Sequence, residues 1–310
     1  MNWVERAITF DCAQEALVGI LSLPRQAEDD PGDVPQKETV VTGIVVIVGG
    51  PQYRAGSHRQ FTLLARSLAE AGYPVLRFDY RGMGDSTGAA RDFETVNDDV
   101  AAAIGALVKE QPSVRRVLLW GLCDGASAAL LYLHATRDPR VHGVCMANPW
   151  VRTESGLART HMKYYYLRRL GEREFWRKAL RGELSALAAR DFWRNLVISY
   201  GRFSRAGDGS GDTALSRTGS FQERMARAAE QFDGYLLLVL SGRDLTAKEF
   251  MEHVRESVVW KRVLRRGSRC SMLEFADADH TFSASRDFSE LRLATLRWVG
   301  RQATEQTAAR

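Results

Sequence analysis

The sequence predicts an α/β fold, a mostly parallel central sheet with helices on both faces and one helical insertion. Three observations predict it. Apolar runs of strand length alternate with helix-length amphipathic segments along most of the chain. Two strand-like segments at the start are joined by a turn, with no helix between them, which gives the sheet an antiparallel beginning. The alternation stops over 150–230 and then resumes, as it does where a chain inserts a second element between two strands.

Taken in order, residues 4–10 and 15–23 read as the opening pair of strands. The polar stretch RQAEDDPGDVPQKE reads as a loop. VVTGIVVIV (40–48) is a buried strand that ends at Gly49-Gly50-Pro51. SHRQFTLLARSLAEAG (57–72) has the spacing of a helix, with Gly72 as its stop. YPVLRFDY (73–80) is a strand followed by the glycine-rich RGMGDSTG. A helix fits 93–110, a strand 115–121, a helix 124–136 and a strand 141–147. After the insertion come a strand at 234–242, a helix at 246–255, a strand at 271–277 and a helix at 284–302. The expected organisation is therefore a core of residues 1–149 and 231–310 and a helical cap over 150–230. Such an insertion is expected above the carboxyl ends of the strands, where open α/β sheets place their ligands.

Bulk properties narrow the classes. The chain has 310 residues, 45% of them hydrophobic, ample for a large core. Its longest apolar runs are far short of the roughly 18 residues of a membrane span, so no span is expected. The start, MNWVERAITFDC, lacks the basic and apolar pattern of a secretory signal. The four cysteines, at 12, 123, 145 and 270, form no CxxC pair, so neither a zinc site nor any other metal or cofactor is expected. These features together point to a cytoplasmic protein with free thiols. The formal charge of +5 is uneven: residues 151–230 hold 16 Lys+Arg against 9 Asp+Glu, and the remainder 27 against 29. The basic character belongs to the insertion.

The chemistry is concentrated at LLWGLCDGAS (118–127), where an apolar strand turns into an alanine-rich helix through Gly121-Leu122-Cys123-Asp124-Gly125. A sharp strand-to-helix turn of the form G-x-nucleophile-x-G needs small flanking residues because backbone passes close by, and it presents its middle residue at a helix N-terminus. A cysteine there is chemically suited, since its thiolate is the reactive form and a helix N-terminus with a nearby imidazolium favours it. The structural alternative is a cysteine buried in a tight turn. Asp124, at the first turn of the helix, is expected to serve the helix dipole, and its charge would disfavour a thiolate beside it.

A nucleophile needs a base and the base an orienting acid, in the chain order nucleophile, acid, histidine for this architecture. Asp244 follows the strand YLLLVL, and His280 follows the last strand, so both fall on the sheet edge that carries Cys123. Asp277 and Asp279 are too close to His280 along an extended loop to face its ring and read as loop-structuring. His58, after the loop that follows the strand at 40–48, is expected either to line the site or to start the next helix.

These residues resemble the α/β-hydrolase superfamily over most of the chain outside 150–230. FDYRGMGDS (78–86) is similar to its F-D-x-R-G-x-G-x-S loop, which is mainly structural. More closely, GGPQYRAGSHRQF, FDYRGMGDSTG and GLCDGASAAL resemble the exosortase A system-associated hydrolase 1 group, which is tied to bacterial exopolysaccharide and protein-sorting gene clusters. The resemblance implies Cys123 as nucleophile, Asp244 as acid and His280 as base. It implies an oxyanion hole from the backbone N–H of Asp124 and a second donor from the 49–52 loop. That loop departs from the common His-Gly-x form. Pro51 has no N–H, so the second donor is Gly50 or Gln52, with Gln52 preferred. Cysteine in place of serine is the other departure, and it occurs in dienelactone-hydrolase-like members. The implied activity is esterase- or thioesterase-like, through an acyl-thioester on Cys123.

The insertion interleaves arginine with aromatics, among them Tyr165 and Trp176. These two are expected to line an acyl pocket under a lid, with the arginines drawing an anionic small-molecule or carrier-bound acyl substrate. No nucleic-acid module is visible, so nucleic acid is not expected as a partner. The competing reading is a non-catalytic scaffold with the same fold; an acyltransferase using the same three residues is the other.

Overall fold

The computed structural model describes residues 2–25, 41–50, 52–152 and 219–304. Eight strands form one sheet: β1 (Trp3–Cys12), β2 (Glu15–Pro24), β3 (Val41–Ile47), β4 (Val75–Phe78), β5 (Val114–Leu122), β6 (Val141–Ala147), β7 (Tyr235–Ser241) and β8 (Cys270–Phe275), in the spatial order β1-β2-β4-β3-β5-β6-β7-β8. β2 is antiparallel to both β1 and β4, and every other neighbouring pair is parallel, so β2 alone runs against the rest. The helices are α1 (Gln60–Glu70), α2 (Asn97–Glu110), α3 (Asp124–Thr136), α4 (Phe221–Gln231), α5 (Leu245–Glu256), α6 (Val258–Leu264) and α7 (Ser285–Thr304).

The central strands read as unbroken apolar runs because both faces are covered. Alternate residues go to opposite sides. Val45, Ile47, Val117, Leu119, Leu236 and Leu238 pack in the core that includes α2, α3 and α4. Ile44, Val46, Leu118, Trp120, Leu237 and Val239 pack with α1 and α7. On α1 the buried residues Phe61, Leu64, Ala65, Leu68 and Ala69 recur at helical spacing, so one stripe meets the sheet.

The chain divides into two units, Met1–Val151 with Ser220–Arg310, and Arg152–Gly219. Residues 220–230 thus go with the core, although the sequence reading placed them in the insertion. The reason is local. Ser220 and Glu223 form a reciprocal capping box that starts α4, whose buried Met225, Ala228 and Ala229 join the main core. The expected helix at 93–110 begins only at Asn97, and the 57–72 segment opens with a single 3-10 turn, Ser57–Arg59, before α1. Among the described residues, no helix is long and apolar enough to cross a membrane, and no cluster of three or more His, Cys, Asp or Glu side chains is arranged to hold a metal ion.

Candidate active site

Cys123 stands between β5 and α3 with φ 59° and ψ −127°, a strained backbone conformation for a residue with a side chain. Its surroundings force that bend. A Cβ on Gly121 would lie 2.5 Å from Ala126 N and from Gly125 C, and one on Gly125 would collide with the Ile47 carbonyl oxygen. Only glycine permits such close passage of three backbone segments. The bend is held from outside as well, since the Cys123 N–H donates to Ala147 O at 2.9 Å and the Trp150 N–H donates to Cys123 O at 3.3 Å. The side chain is half-buried at the head of α3, and all four cysteines are free thiols.

Asp244 ends the turn after β7 and caps α5. Its carboxylate accepts the N–H groups of Thr246 (3.2 Å) and Ala247 (3.0 Å) and is 7% exposed. The same carboxylate faces Nδ1 of His280 at 2.9 Å. With Nδ1 so engaged, the second ring nitrogen is the one available to a neighbouring group. Burial alone would lower the His280 pKa. The hydrogen bonds to Asp244 and Cys123, together with the charges of both partners, outweigh it and raise the value to about 10. An imidazole so placed holds its proton at neutral pH. Asp244 and His280 are therefore paired between the loops that follow β7 and β8.

Asp277 and Asp279 face elsewhere. Asp279 accepts from the backbone N–H groups of Thr281 and Ser283, and Asp277 pairs with Arg243 at 2.8 Å.

The opposite wall is the loop after β3. The Gly50 N–H donates to Oδ1 of Asp124. The Asp124 carboxyl is pushed up by burial, while hydrogen bonds from the N–H groups of Gly50, Gly125 and Asp124 itself, and the His280 charge, pull it back toward the ionised form. The Asp124 side chain thus turns inward across the head of α3 and takes the Gly50 N–H, one of the two candidates for the second oxyanion donor. Gln52 accepts the Ser57 N–H on its side-chain oxygen at 3.4 Å. His58 is exposed, with φ 54°, in the turn that leads into α1. Tyr165 and Trp176 lie outside the described residues.

This loop is fastened by the glycine-rich segment after β4. Fully buried Asp79 accepts the Arg54 N–H at 2.6 Å and also pairs with the Arg54 guanidinium. The Tyr80 hydroxyl donates to Val48 O at 2.7 Å. One residue on, Arg81 forms a two-pronged pair with buried Asp99 that anchors the segment to α2. Two participants were missed by the sequence reading. The first is the Asp124 side chain. The second is Asn148, just past β6, whose carboxamide touches the loops of both Asp244 and His280. An asparagine directly after a buried strand is a readable signal for a left-handed turn residue, but nothing local names its partners.

Comparison with known proteins agrees with this architecture. Residues 40–193 match the family model described as "Serine aminopeptidase, S33". The human protein ABHD12B is 36% identical over 86 residues, which is 28% of this chain and 23% of that protein. The chain therefore matches under a quarter of that curated relative's length. Among solved structures, the Pyrococcus furiosus esterase Pf2001 superposes with a TM-score of 0.61 at 15% identity, covering 97% of this chain and 94% of the other. Est1E of Butyrivibrio proteoclasticus, determined with ferulic acid bound, gives 0.58 at 13% identity, covering 96% and 99%. An alpha-beta serine hydrolase homologue of Coxiella burnetii gives 0.53 at 15% identity, covering 94% and 96%. The fold is that of the α/β-hydrolases.

Proposed function

We propose that this α/β-hydrolase-fold protein is a cysteine-dependent acyl hydrolase of esterase or thioesterase type. The observation that supports the reading most strongly is the run Asp244–His280–Cys123, with the sulfur at a strained bend and a buried carboxylate 2.9 Å from the far side of the ring. In the proposed mechanism the Cys123 thiol proton passes to His280 as the sulfur attacks. The sulfur attacks the acyl carbon, a C–S bond forms, and the carbonyl electron pair moves to oxygen. The oxyanion is received by the N–H groups of Asp124 and Gly50, each such donor being worth about 3–4 kcal/mol of barrier, with Gln52 the other candidate for the second place. For this the carbonyl oxygen must take over the N–H groups that Asp124's carboxylate now gathers. Collapse of the intermediate expels the alkoxide or thiolate, which takes the proton from His280. With the sulfur acylated and uncharged, the neutral ring removes a proton from water. Attack by that water breaks the C–S bond, releasing the acid and restoring the pair.

On this reading His58 lines the acyl side, and the substrate is a small-molecule or carrier-bound acyl group of anionic character. The motif resemblance to the exosortase-associated hydrolase 1 group supports a cytoplasmic role beside exopolysaccharide or sorting systems. The test is turnover of activated aryl esters and acyl thioesters by the wild type, Cys123→Ala and His280→Gln. Loss of turnover by roughly four orders of magnitude in Cys123→Ala is expected. Turnover that survives this substitution, or its absence from the wild type across both substrate classes, would defeat the proposal.

A further inference from the structure

In the sheet, β6 lies between the nucleophile strand β5 and the acid strand β7. The end of β6 and the residues just past it bond to the backbones of Cys123 and His280 and to Ser241 in the turn before Asp244. Ala147 O accepts the Cys123 N–H, and the Trp150 N–H donates back to Cys123 O. Between them Asn148 is fully buried, with φ 45°, and its own N–H is bonded to Val239 O at 2.9 Å on β7. Its side-chain oxygen accepts the Ser241 N–H at 2.8 Å, three residues before Asp244. Its side-chain nitrogen donates to Ser241 Oγ at 2.9 Å and to the carbonyl of His280 at 3.0 Å. Both amide protons and the oxygen are thus committed, and the neighbours dictate which end is which. Other bonds between the acid and base loops, Gly242 N–H to Phe275 O and Arg243 N–H to Ala278 O, join them upstream of the histidine. Asn148 thus holds the backbone of His280, while Asp244 holds its ring.

Resting on the acyl-hydrolase reading above, we propose that Asn148 is a positioning residue of the site: its carboxamide fixes the backbone of His280 against the acid turn, so that one ring nitrogen meets Asp244 and the other meets Cys123. A left-handed residue with a short amide suits the place, because the chain must reverse there while still offering two donors and an acceptor.

Two variants separate position from stability. Asn148→Gly deletes the carboxamide while relaxing the backbone at positive φ. Asn148→Asp keeps the shape and the acceptor for Ser241 N–H but turns the contact with the His280 carbonyl repulsive. The readout is the rate at which iodoacetamide alkylates Cys123, followed by peptide mapping across pH, in the wild type, both variants and His280→Gln, with thermal melting as the check on folding. The charged groups facing His280 are Asp244, Cys123 and Asp124, so the profile reports their shared arrangement. The wild type is expected to react faster at pH ~6 than His280→Gln. The Asn148 variants should move toward the His280→Gln profile, with the rate at pH ~6 falling roughly 10–100-fold, the size of effect a misplacement of about 1 Å produces. If one variant fails to melt cooperatively, the other decides. Variants that track the wild type while His280→Gln does not overturn the positioning role alone. A wild type indistinguishable from His280→Gln overturns the imidazole–sulfur pair, and the inference with it.

Discussion

The two walls of the site are built in opposite ways. The wall that carries Cys123 is made by backbone compression: Gly121 and Gly125 leave no room for a Cβ, and the strain at Cys123 is held by a bond from its N–H to Ala147 O and one from the Trp150 N–H to its carbonyl. The facing wall, the loop from Gly49 to Arg54, is held by side chains from elsewhere, with Asp79 on Arg54, Tyr80 on Val48 and Asp124 on Gly50. The first arrangement has one conformation or none. The second can be loosened one contact at a time, and one of its contacts, that of Asp124, occupies the N–H groups a substrate would need.

If that contrast is sound, substitutions on the two walls should fail differently. The largest stability effect belongs to the compressed wall. Gly125→Ala drives a methyl into the Ile47 carbonyl, a backbone atom that cannot rotate away, and should destabilise by about 3 kcal/mol, read as a lower urea midpoint with activity lost in parallel. A neutral outcome would mean the turn can open. On the facing wall, Asp79→Asn leaves Arg54 with only the exposed Asp85 as an anionic partner. A loss of about 2 kcal/mol is expected, with the melting transition still cooperative and the rise in KM exceeding the fall in kcat. An effect equal to that of Gly125→Ala would erase the distinction.

Asp124→Ala sharpens it further. Removing the carboxylate frees the Gly50 N–H without touching the bend. Single-turnover acylation of Cys123 is therefore expected to rise roughly tenfold, short of the hundredfold that a whole oxyanion donor can supply. A fall in acylation would show that the carboxylate aids the reaction. The smallest effect concerns pH. His280 titrates higher folded than unfolded, so its stabilising contribution is complete below its unfolded pKa of about 6.5 and is lost as pH rises through about 10. The stability gap between wild type and His280→Gln should accordingly narrow between pH 7 and 10. A gap that widens would reverse the sign of the account.

The same contrast explains what was legible in the sequence. The G-x-C-x-G frame announced the compressed wall because its determinants are adjacent residues, and Asp244 and His280 could be placed because each directly follows an apolar strand. α3 and β6 begin and end where periodicity puts them. The facing wall was harder to read. Asp124 was assigned to the helix dipole, because the contact between Gly50 and Asp124 joins residues 74 positions apart. Asn148 escaped for the same reason, its partners lying 93 and 132 residues downstream. α6, only seven residues long, was missed because it follows α5 across the single residue Ser257, which caps both. The boundary of the insertion, by contrast, was available, since Ser220-Phe221-Gln222-Glu223 carries the S-x-x-E signature of a helix start.

The sulfur chemistry itself is tested most directly by rapid acid quench of the wild type with an activated acyl thioester, followed by intact mass and peptide mapping. The account predicts a single added acyl group, mapped to Cys123, that forms and decays fast enough to lie on the turnover path and is missing from Cys123→Ala. An unmodified Cys123 during sustained turnover, or an acyl group mapped to any other residue, would contradict it.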